Sequence, residues 1–257
     1  MESIPEPQVN LARKILPKPL YRALTHIFKQ GVEGCMLVGG TALSGFYAGH
    51  RRSDDLDFFT QNEDSQKSTI LAVKSLENIG TKFLEVSTET AQYYRSTCEL
   101  EGHQFTIDIV LDSNIFKVGQ AVILKNNIHI ADLKTMLMTK AATLVSRCSE
   151  KDLYDLIWIF QKIPDLNFAK LILLGHEIDS GVNAENILIS LSGAILTEES
   201  CDFSLLPQAN KITIYKDIIK FRREMIRGLK KYLQDQPAPP LKELVQRISK
   251  LKNKRHK

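Results

Sequence analysis

The sequence contains few cysteines, and they are far apart. Cys35, Cys98, Cys148 and Cys201 include no C-x-x-C pair, so a zinc site has no support. Disulfides are characteristic of oxidising compartments, and a reduced cytosolic protein is therefore the simpler expectation.

Long apolar runs and an export signal are also lacking. The first residues do not show a charged, then apolar, then small-residue pattern, and we expect no signal peptide. The longest apolar-rich run, 187–196, is broken by Ser190, Ser192 and Gly193 and is too short to span a bilayer. We therefore expect no membrane partner, and a cytoplasmic location.

The composition is that of a globular protein whose charge is unevenly spread. The 257 residues are 43% apolar and 25% charged, with a net charge of +4. Residues 211–257 hold 15 Lys and Arg against 4 Asp and Glu, which gives +11, whereas residues 1–210 hold 19 against 26, which gives −7. This asymmetry predicts that the C-terminal part meets a polyanion, although a solvated helix face with a basic tail would look the same.

Hydrophobic periodicity predicts an α+β fold, with a mixed sheet first and a helical domain afterwards. We expect a core domain over residues 1–130, beginning with an arm at 1–10, and a helical domain over residues 131–257. The prolines from Pro237 to Pro240 indicate a linker before a separable basic tail. The predicted strands are 35–38, 55–60, 82–88, 93–101, 104–111, 122–124 and 128–130; the predicted helices are 20–30, 41–48, 65–78, 132–147, 154–160, 168–176, 185–196, 212–233 and 241–251.

Gly39 and Gly40 separate a buried strand from a helix beginning at Thr41. Without a Cβ, their backbone N–H groups can approach a phosphate, and the helix N-terminus adds a favourable dipole. Taken alone, the pattern also fits an ordinary tight turn.

Asp55 and Asp57 are the more specific signal. Residues i and i+2 of a strand point to the same face, roughly 7 Å apart at Cα. Two carboxylates on a strand whose other residues are apolar repel each other unless a cation lies between them, and oxygen ligands favour Mg²⁺ completed by phosphate oxygens and water. The alternative is an acidic strand end in solvent, which is all that the neighbouring Asp54 indicates.

Asp108 offers a third carboxylate, since it lies on the polar face of the strand at 104–111. At a metal site it could act as general base toward an attacking hydroxyl. Asp112 shares its parity but fits a turn better, and Asp108 itself could be an isolated exposed side chain.

The helical half leaves two interpretations open. If one helix continues through this region, Lys140, Arg147 and Lys151 lie on one face, which suits a triphosphate or an RNA backbone. Alternatively, Ser149 and Asp152 form a capping box that starts a new helix, and Asp152 would then pair locally with the cations, as could Asp155.

Together these segments resemble the AbiEii/AbiGii-type nucleotidyltransferase toxins of type IV toxin–antitoxin and phage-abortive systems. Their Gly-Gly-Thr motif, their Arg-x-Ser-x-Asp-hydrophobic-Asp motif and their Lys-x6-Arg-x3-basic-Asp-x2-Asp motif are matched in order and spacing. The matching residues span about 35–160 and are Gly39, Gly40, Thr41; Arg51, Ser53, Asp55, Asp57; and Lys140, Arg147, Lys151, Asp152, Asp155.

The resemblance implies a polymerase-β-like nucleotidyltransferase core, a Mg²⁺ cofactor, an NTP substrate, an acceptor such as the 3′ end of tRNA, and an antitoxin encoded nearby. An inactive nucleotide-binding regulator on the same fold, or a protein or small-molecule acceptor, are the alternatives; the basic C-terminal part favours RNA. The predicted site then comprises catalytic Asp55, Asp57, Asp108 and Lys140; metal ligands Asp55, Asp57 and Asp108; nucleotide-binding Gly39, Gly40, Thr41, Ser44, Arg51, Ser53, Lys140, Arg147 and Lys151; and the further motif positions Asp152 and Asp155.

Overall fold

The structure, a computed structural model, describes residues 4–207 and 209–253. Its chain divides into two compact units, one over Glu6–Met136 and one formed mainly by Leu137–Lys257. Across the described residues, no helix combines the length and the apolar character that a membrane span requires.

The first unit is built on a mixed sheet, and eight strands are found among the described residues. The spatial order is β3-β5-β6-β2-β1-β8-β7, and β4 also pairs with β5. The β2–β6 and β1–β8 pairs are parallel and the remaining pairs are antiparallel. The strands are β1 (Cys35–Val38), β2 (Asp55–Thr60), β3 (Lys82–Phe83), β4 (Thr88–Glu89), β5 (Tyr93–Leu100), β6 (His103–Leu111), β7 (Ala121–Ile123) and β8 (His129–Ala131).

Helices cover the apolar face of this sheet. On α2, Phe28 packs edge-on against Phe58 of β2, with ring centroids 5.9 Å apart. The unit's helices are α1 (Val9–Ile15), α2 (Lys18–Lys29), α3 (Gly39–Thr41, continuing as a π-helix over Ala42–Ala48), α4 (Glu63–Lys74) and α5 (Ile115–Val118), and α6 (Leu133–Ser146) begins here. Asp132 starts α6 as predicted, because its Oδ1 accepts a hydrogen bond from the Thr135 N–H at 2.7 Å.

The structure adds one helix that was not predicted and corrects one strand. The unpredicted helix is α1, whose Ala12 is fully buried, and the preceding Gln8 N–H donates a hydrogen bond to Phe46 O of the π-helix at 2.7 Å. Residues 1–3 of the predicted arm lie outside the described residues. The single strand at 82–88 is two short strands, because the pairing with β5 shifts by two residues between Phe83 and Thr88.

The second unit consists of helices around an aromatic core. Phe160 and Phe221 are fully buried, and their ring centroids lie 5.6 Å apart. A helical region after the sheet was predicted, and this is confirmed. Its helices are the rest of α6, α7 (Glu150–Lys162), α8 (Phe168–Ile178), α9 (Ala184–Gly193), α10 (Lys211–Leu233) and α11 (Leu241–Asn253).

The last helix is not a separable tail. Four apolar side chains of α11 are almost completely buried: Leu241, Leu244, Val245 and Ile248 are each at most 4% exposed. The Leu241 N–H also donates to the Leu166 carbonyl at 2.9 Å. The proline linker therefore leads into a helix that completes the core of this unit, and deleting α11 would expose that core.

We expect Leu244→Ala to lower the free energy of unfolding by about 2–5 kcal/mol, because it leaves a cavity beneath α11. Urea denaturation measures the loss. Leu173→Ala is the matched control, since Leu173 is 61% exposed, and it should change stability by less than about 0.5 kcal/mol. Equal small effects of the two variants would show that α11 contributes little to the fold.

Candidate active site

Carboxylates of β2 and β6 lie on one face of the sheet. In the parallel register of these strands, Asp57 lies beside Asp108 and Asp55 lies beside Thr106. Thr106 Oγ1 donates a hydrogen bond to Asp55 Oδ1 at 2.5 Å. The alternate residues of both strands, such as Leu56, are buried on the opposite face. The three acids named from the sequence thus belong to adjacent strands and share a face.

The glycine turn is fitted against these groups. Gly39 has φ +70°, and a Cβ there would lie 2.0 Å from Asp57 Oδ2. A Cβ on Gly40 would lie 2.4 Å from an Arg51 guanidinium nitrogen and 2.6 Å from Ser53 Oγ. Any larger residue would displace side chains of the Arg-x-Ser-x-Asp-x-Asp segment, so the two glycines are required by this close approach.

The other polar residues of this segment are buried beside the turn. Ser44 Oγ donates to the Arg51 carbonyl, and the Arg51 guanidinium donates to the Arg52 carbonyl at 2.9 Å. Arg51 is 3% exposed and Ser53 8%. The hydroxyl of Thr41 is fully buried and has no hydrogen-bond partner among the described residues. A helix start with a buried guanidinium and an unsatisfied hydroxyl is suited to an anionic ligand.

Sequence reasoning missed two residues that hold Asp108. The Tyr93 hydroxyl donates to Asp108 Oδ1, and an Arg95 guanidinium nitrogen lies 3.5 Å from the same oxygen. Burial and the hydrogen bond to Asp108 raise the pKa of Tyr93, which keeps its hydroxyl protonated as the donor. Counting back from the hairpin turn at Glu101 would have placed Arg95 opposite Asp108.

These residues could supply some, but not all, of the ligands of a divalent cation. In 4–207 and 209–253, no group of three or more His, Cys, Asp and Glu side chains is arranged to hold a metal ion, and Asp108 is engaged by Tyr93 and Arg95. Asp55 and Asp57, against the Gly39 turn, can supply carboxylate oxygens, and Mg²⁺ commonly takes one or two carboxylates, with water and substrate phosphates completing its shell. The assignment of Asp108 as a third ligand stays a prediction.

Four motif residues of the second unit form an ion-pair network, in which Lys140, Asp152 and Asp155 are buried and Arg147 is exposed. Lys140 Nζ lies 2.9 Å from Asp152 Oδ1 and 2.7 Å from Asp155 Oδ2, and its side chain is 4% exposed. Arg147 Nε lies 3.0 Å from Asp152 Oδ2, and Ser149 Oγ donates to that oxygen at 2.6 Å. These contacts join the end of α6 to the start of α7.

The first of the two interpretations assumed one continuous helix through Lys140, Arg147 and Lys151, and this assumption was wrong. The chain turns at Cys148, which has φ +44°, and Ser149 is the N-cap of α7, where it forms with Asp152 the capping box of the alternative interpretation. Lys151 is exposed on α7. The nucleotide-binding roles of Lys140, Arg147 and Lys151 remain predictions, and the geometry favours a structural role for Lys140.

The ion pairs also determine how Asp152 titrates. Burial alone would raise the pKa of its carboxyl, but Lys140, Arg147 and the hydrogen bonds from Arg147 and Ser149 outweigh it and hold the pKa below the usual range. A carboxyl with a lowered pKa in the folded state stabilises the fold above its unfolded pKa. That contribution is lost as the pH falls through the folded pKa.

Comparison with protein families decides the identity of this arrangement. The model of a family described as nucleotidyl transferase AbiEii toxin, type IV TA system, matches residues 22–247. The chain belongs to this family. The resemblance drawn from the motifs is thereby confirmed, and the chain is a nucleotidyltransferase of the AbiEii toxin family.

The chain is also similar to two individual proteins, one by sequence and one by structure. The uncharacterized protein aq_aa25 of Aquifex aeolicus strain VF5 is 29% identical over 151 residues, which cover 57% of this chain and 68% of that protein. MenT4, a nucleotidyltransferase toxin from Mycobacterium tuberculosis H37Rv, is 15% identical, with a TM-score of 0.51 over 92% of this chain and 91% of its own. The nucleotidyltransferase core predicted from the sequence is confirmed as the fold.

We expect Lys140→Ala to lower the free energy of unfolding by about 3–5 kcal/mol, because Asp152 and Asp155 would keep buried charges without their shared cation. Chemical denaturation measures this loss. Lys151→Ala, at an exposed position of the same motif, is the control and should stay within about 0.5 kcal/mol of the parent protein. Unchanged stability together with weakened NTP binding in Lys140→Ala would show that Lys140 binds nucleotide instead.

Proposed function

We propose that this AbiEii-family chain is a Mg²⁺-dependent enzyme that transfers a nucleoside monophosphate from an NTP to an RNA acceptor such as the 3′ end of tRNA. The single observation that carries the proposal is the position of Asp55 and Asp57 on one sheet face, beside the glycine turn. Gly39 lies so close to Asp57 that no residue with a Cβ would fit. The family supports an NTP substrate and an antitoxin as partner.

In this proposal the residues of the turn bind and orient the triphosphate. Asp55 and Asp57 hold Mg²⁺, which when bound neutralises phosphate charge and aligns the leaving group. The backbone N–H groups at Gly39 and Gly40 begin α3 and face the phosphates without obstruction. Arg51, buried beside Gly40, adds a fixed positive charge that does not have to be reorganised when negative charge develops.

Asp108 is proposed to accept the proton of the attacking hydroxyl. The acceptor oxygen forms a bond to the α-phosphorus, the bond to the pyrophosphate oxygen breaks, and the hydroxyl proton passes to the Asp108 carboxylate. An Arg95 guanidinium nitrogen lies 3.5 Å from Asp108 Oδ1, and the Tyr93 hydroxyl donates a hydrogen bond to the same oxygen, so the two contacts fix the orientation of the carboxylate. Both residues therefore position the base.

An RNA acceptor is proposed because of the charge distribution. The net charge of +11 in residues 211–257 suits a polyanion, whereas a small cationic acceptor such as an aminoglycoside favours acidic surroundings. Two helices of the second unit, α10 and α11, lie in this region, and Lys216, Arg223, Arg227 and Lys230 are at exposed positions of α10.

Asp55→Asn and Asp57→Asn should each abolish Mg²⁺-dependent transfer of labelled nucleotide to total RNA, a loss of at least about 10³-fold, while melting temperatures stay close to the parent value. The reason is the loss of ligand charge with little loss of packing. Asp54→Asn is the matched control. Asp54 is half-exposed, pairs with His103 at 3.2 Å and lies outside the alternating pattern, and its variant should keep its activity. Undiminished transfer in both test variants would refute the site.

A further inference from the structure

A cluster of cations lines a pocket between α10 and α11, outside the proposed catalytic residues. The pocket has a volume of about 200 Å³ and is lined by Lys220, Arg223, Glu224, Arg227, Arg247 and Ile248. Four cations face one carboxylate, so the pocket carries a net charge of +3. Its volume is several times the roughly 30 Å³ that a water molecule occupies in the liquid, which leaves room for a phosphate group.

The pocket lies on a basic stripe of an amphipathic helix. At 100° per residue, the apolar residues of α10, including Phe221 and Met225, project to one side and are buried. The cations project to the other side, where they form a row along nearly the whole helix: Lys216, Lys220, Arg223, Arg227, Lys230 and Lys231. A row of this kind alone is often only a solvated face, and α11 supplies the feature that makes it a pocket.

Glu224 brings cations from two helices together. Arg227 Nη1 lies 2.9 Å from Glu224 Oε1, and Arg247 of α11 lies 4.0 Å from Glu224 Oε2. The Glu224 side chain is 19% exposed, whereas those of Arg227 and Arg247 are 67% and 53% exposed. Arg247 also lies 3.6 Å from Glu243 Oε2 on its own helix. Glu224 therefore contacts both guanidinium groups, and each guanidinium has five N–H donors, more than these carboxylate contacts require.

The remaining two cations are uncompensated. Within the part of the chain that the structure describes, Lys220 and Arg223 form no ion pair with an acidic side chain. Four neighbouring cations repel one another, and a bound anion would reduce this repulsion. Phosphates of a nucleic-acid backbone are the anions that match such a row, because they recur along the strand as the cations recur along α10.

We propose that this pocket binds a backbone phosphate of the RNA acceptor, with the α10 stripe contacting the phosphates on either side. The inference rests on the proposed RNA acceptor. It assigns the binding of that RNA to residues that are far in sequence from the catalytic motifs. The contacts are with phosphates, so they position the acceptor and do not read its bases.

The test is RNA binding by the full chain, measured without NTP as fluorescence anisotropy of labelled tRNA over a series of salt concentrations. In Lys220→Gln/Arg223→Gln the Kd at low salt should rise about tenfold, and the log–log salt slope should become shallower by about 2, one for each lost phosphate contact. Lys162→Gln/Lys170→Gln removes the same charge from exposed positions of α7 and α8, and it should leave Kd within about twofold. Thermal melting confirms that both variants are folded.

Three outcomes would contradict the proposal that this pocket binds an RNA phosphate. Equal losses in the two double variants would show that only overall charge matters. Undiminished RNA binding in Lys220→Gln/Arg223→Gln would show that the pocket does not contact RNA. A matching loss of affinity for labelled NTP would assign the pocket to the nucleotide. Failure of the proposed function is recognised separately, because the parent protein would then bind tRNA yet add no labelled nucleotide to it.

Discussion

The parallel pairing of β2 with β6 is the constraint on which both the core and the candidate site depend. One in-register ladder aligns Phe58 with Ile109 on the buried face and Asp57 with Asp108 on the other. A slip of one residue would turn the carboxylates into the core and the aromatic ring toward solvent. The burial of the apolar face therefore fixes where the acids lie. The same strand register that buries this face also places the acids side by side on the other.

Like charges on that face would repel one another without local compensation. The protein supplies some of it: Thr106 donates to Asp55, and Arg95 and Tyr93 engage Asp108. The Asp57 carboxylate lies against the Gly39 turn, where the lack of a Cβ permits this close approach. Because fixed side chains engage Asp108, we propose that a cation would be held chiefly by Asp55 and Asp57 of β2, while the role of Asp108 as a third ligand stays a prediction.

Much of this architecture could be read from the sequence, because strong local signals agreed with the fold. The bounds of β1 and β2 were predicted to the residue. A break between the predicted strands 93–101 and 104–111 is a hairpin in the structure, whose turn residues Glu101 and Gly102 both have positive φ. The Asp55 and Asp57 pair needed only the two-residue period of a strand. Asp108 was proposed from the polar face of its own strand, and only the structure shows that this strand lies beside β2.

The errors share a physical cause, which is that tertiary contacts override local pattern. The prolines around α1 argued against a helix there, but packing against α3 stabilises one. The proline linker before α11 suggested a separable tail, but Leu244 of α11 is buried. The continuous helix through Arg147 ignored that a residue such as Cys148 can take positive φ when a capping box starts the next helix. Arg95 escaped notice because cross-strand partners are set by hairpin register and not by spacing along one strand.

The most direct test of the account is to locate the cation itself. Crystals of the protein grown with Mn²⁺ and a non-hydrolysable NTP would give an anomalous scattering peak that marks the metal independently of activity. The account predicts one peak within coordination distance of the Asp55 and Asp57 carboxylates, next to the Gly39 turn. A peak bound elsewhere, with nucleotide present and these two carboxylates free of metal, would contradict it.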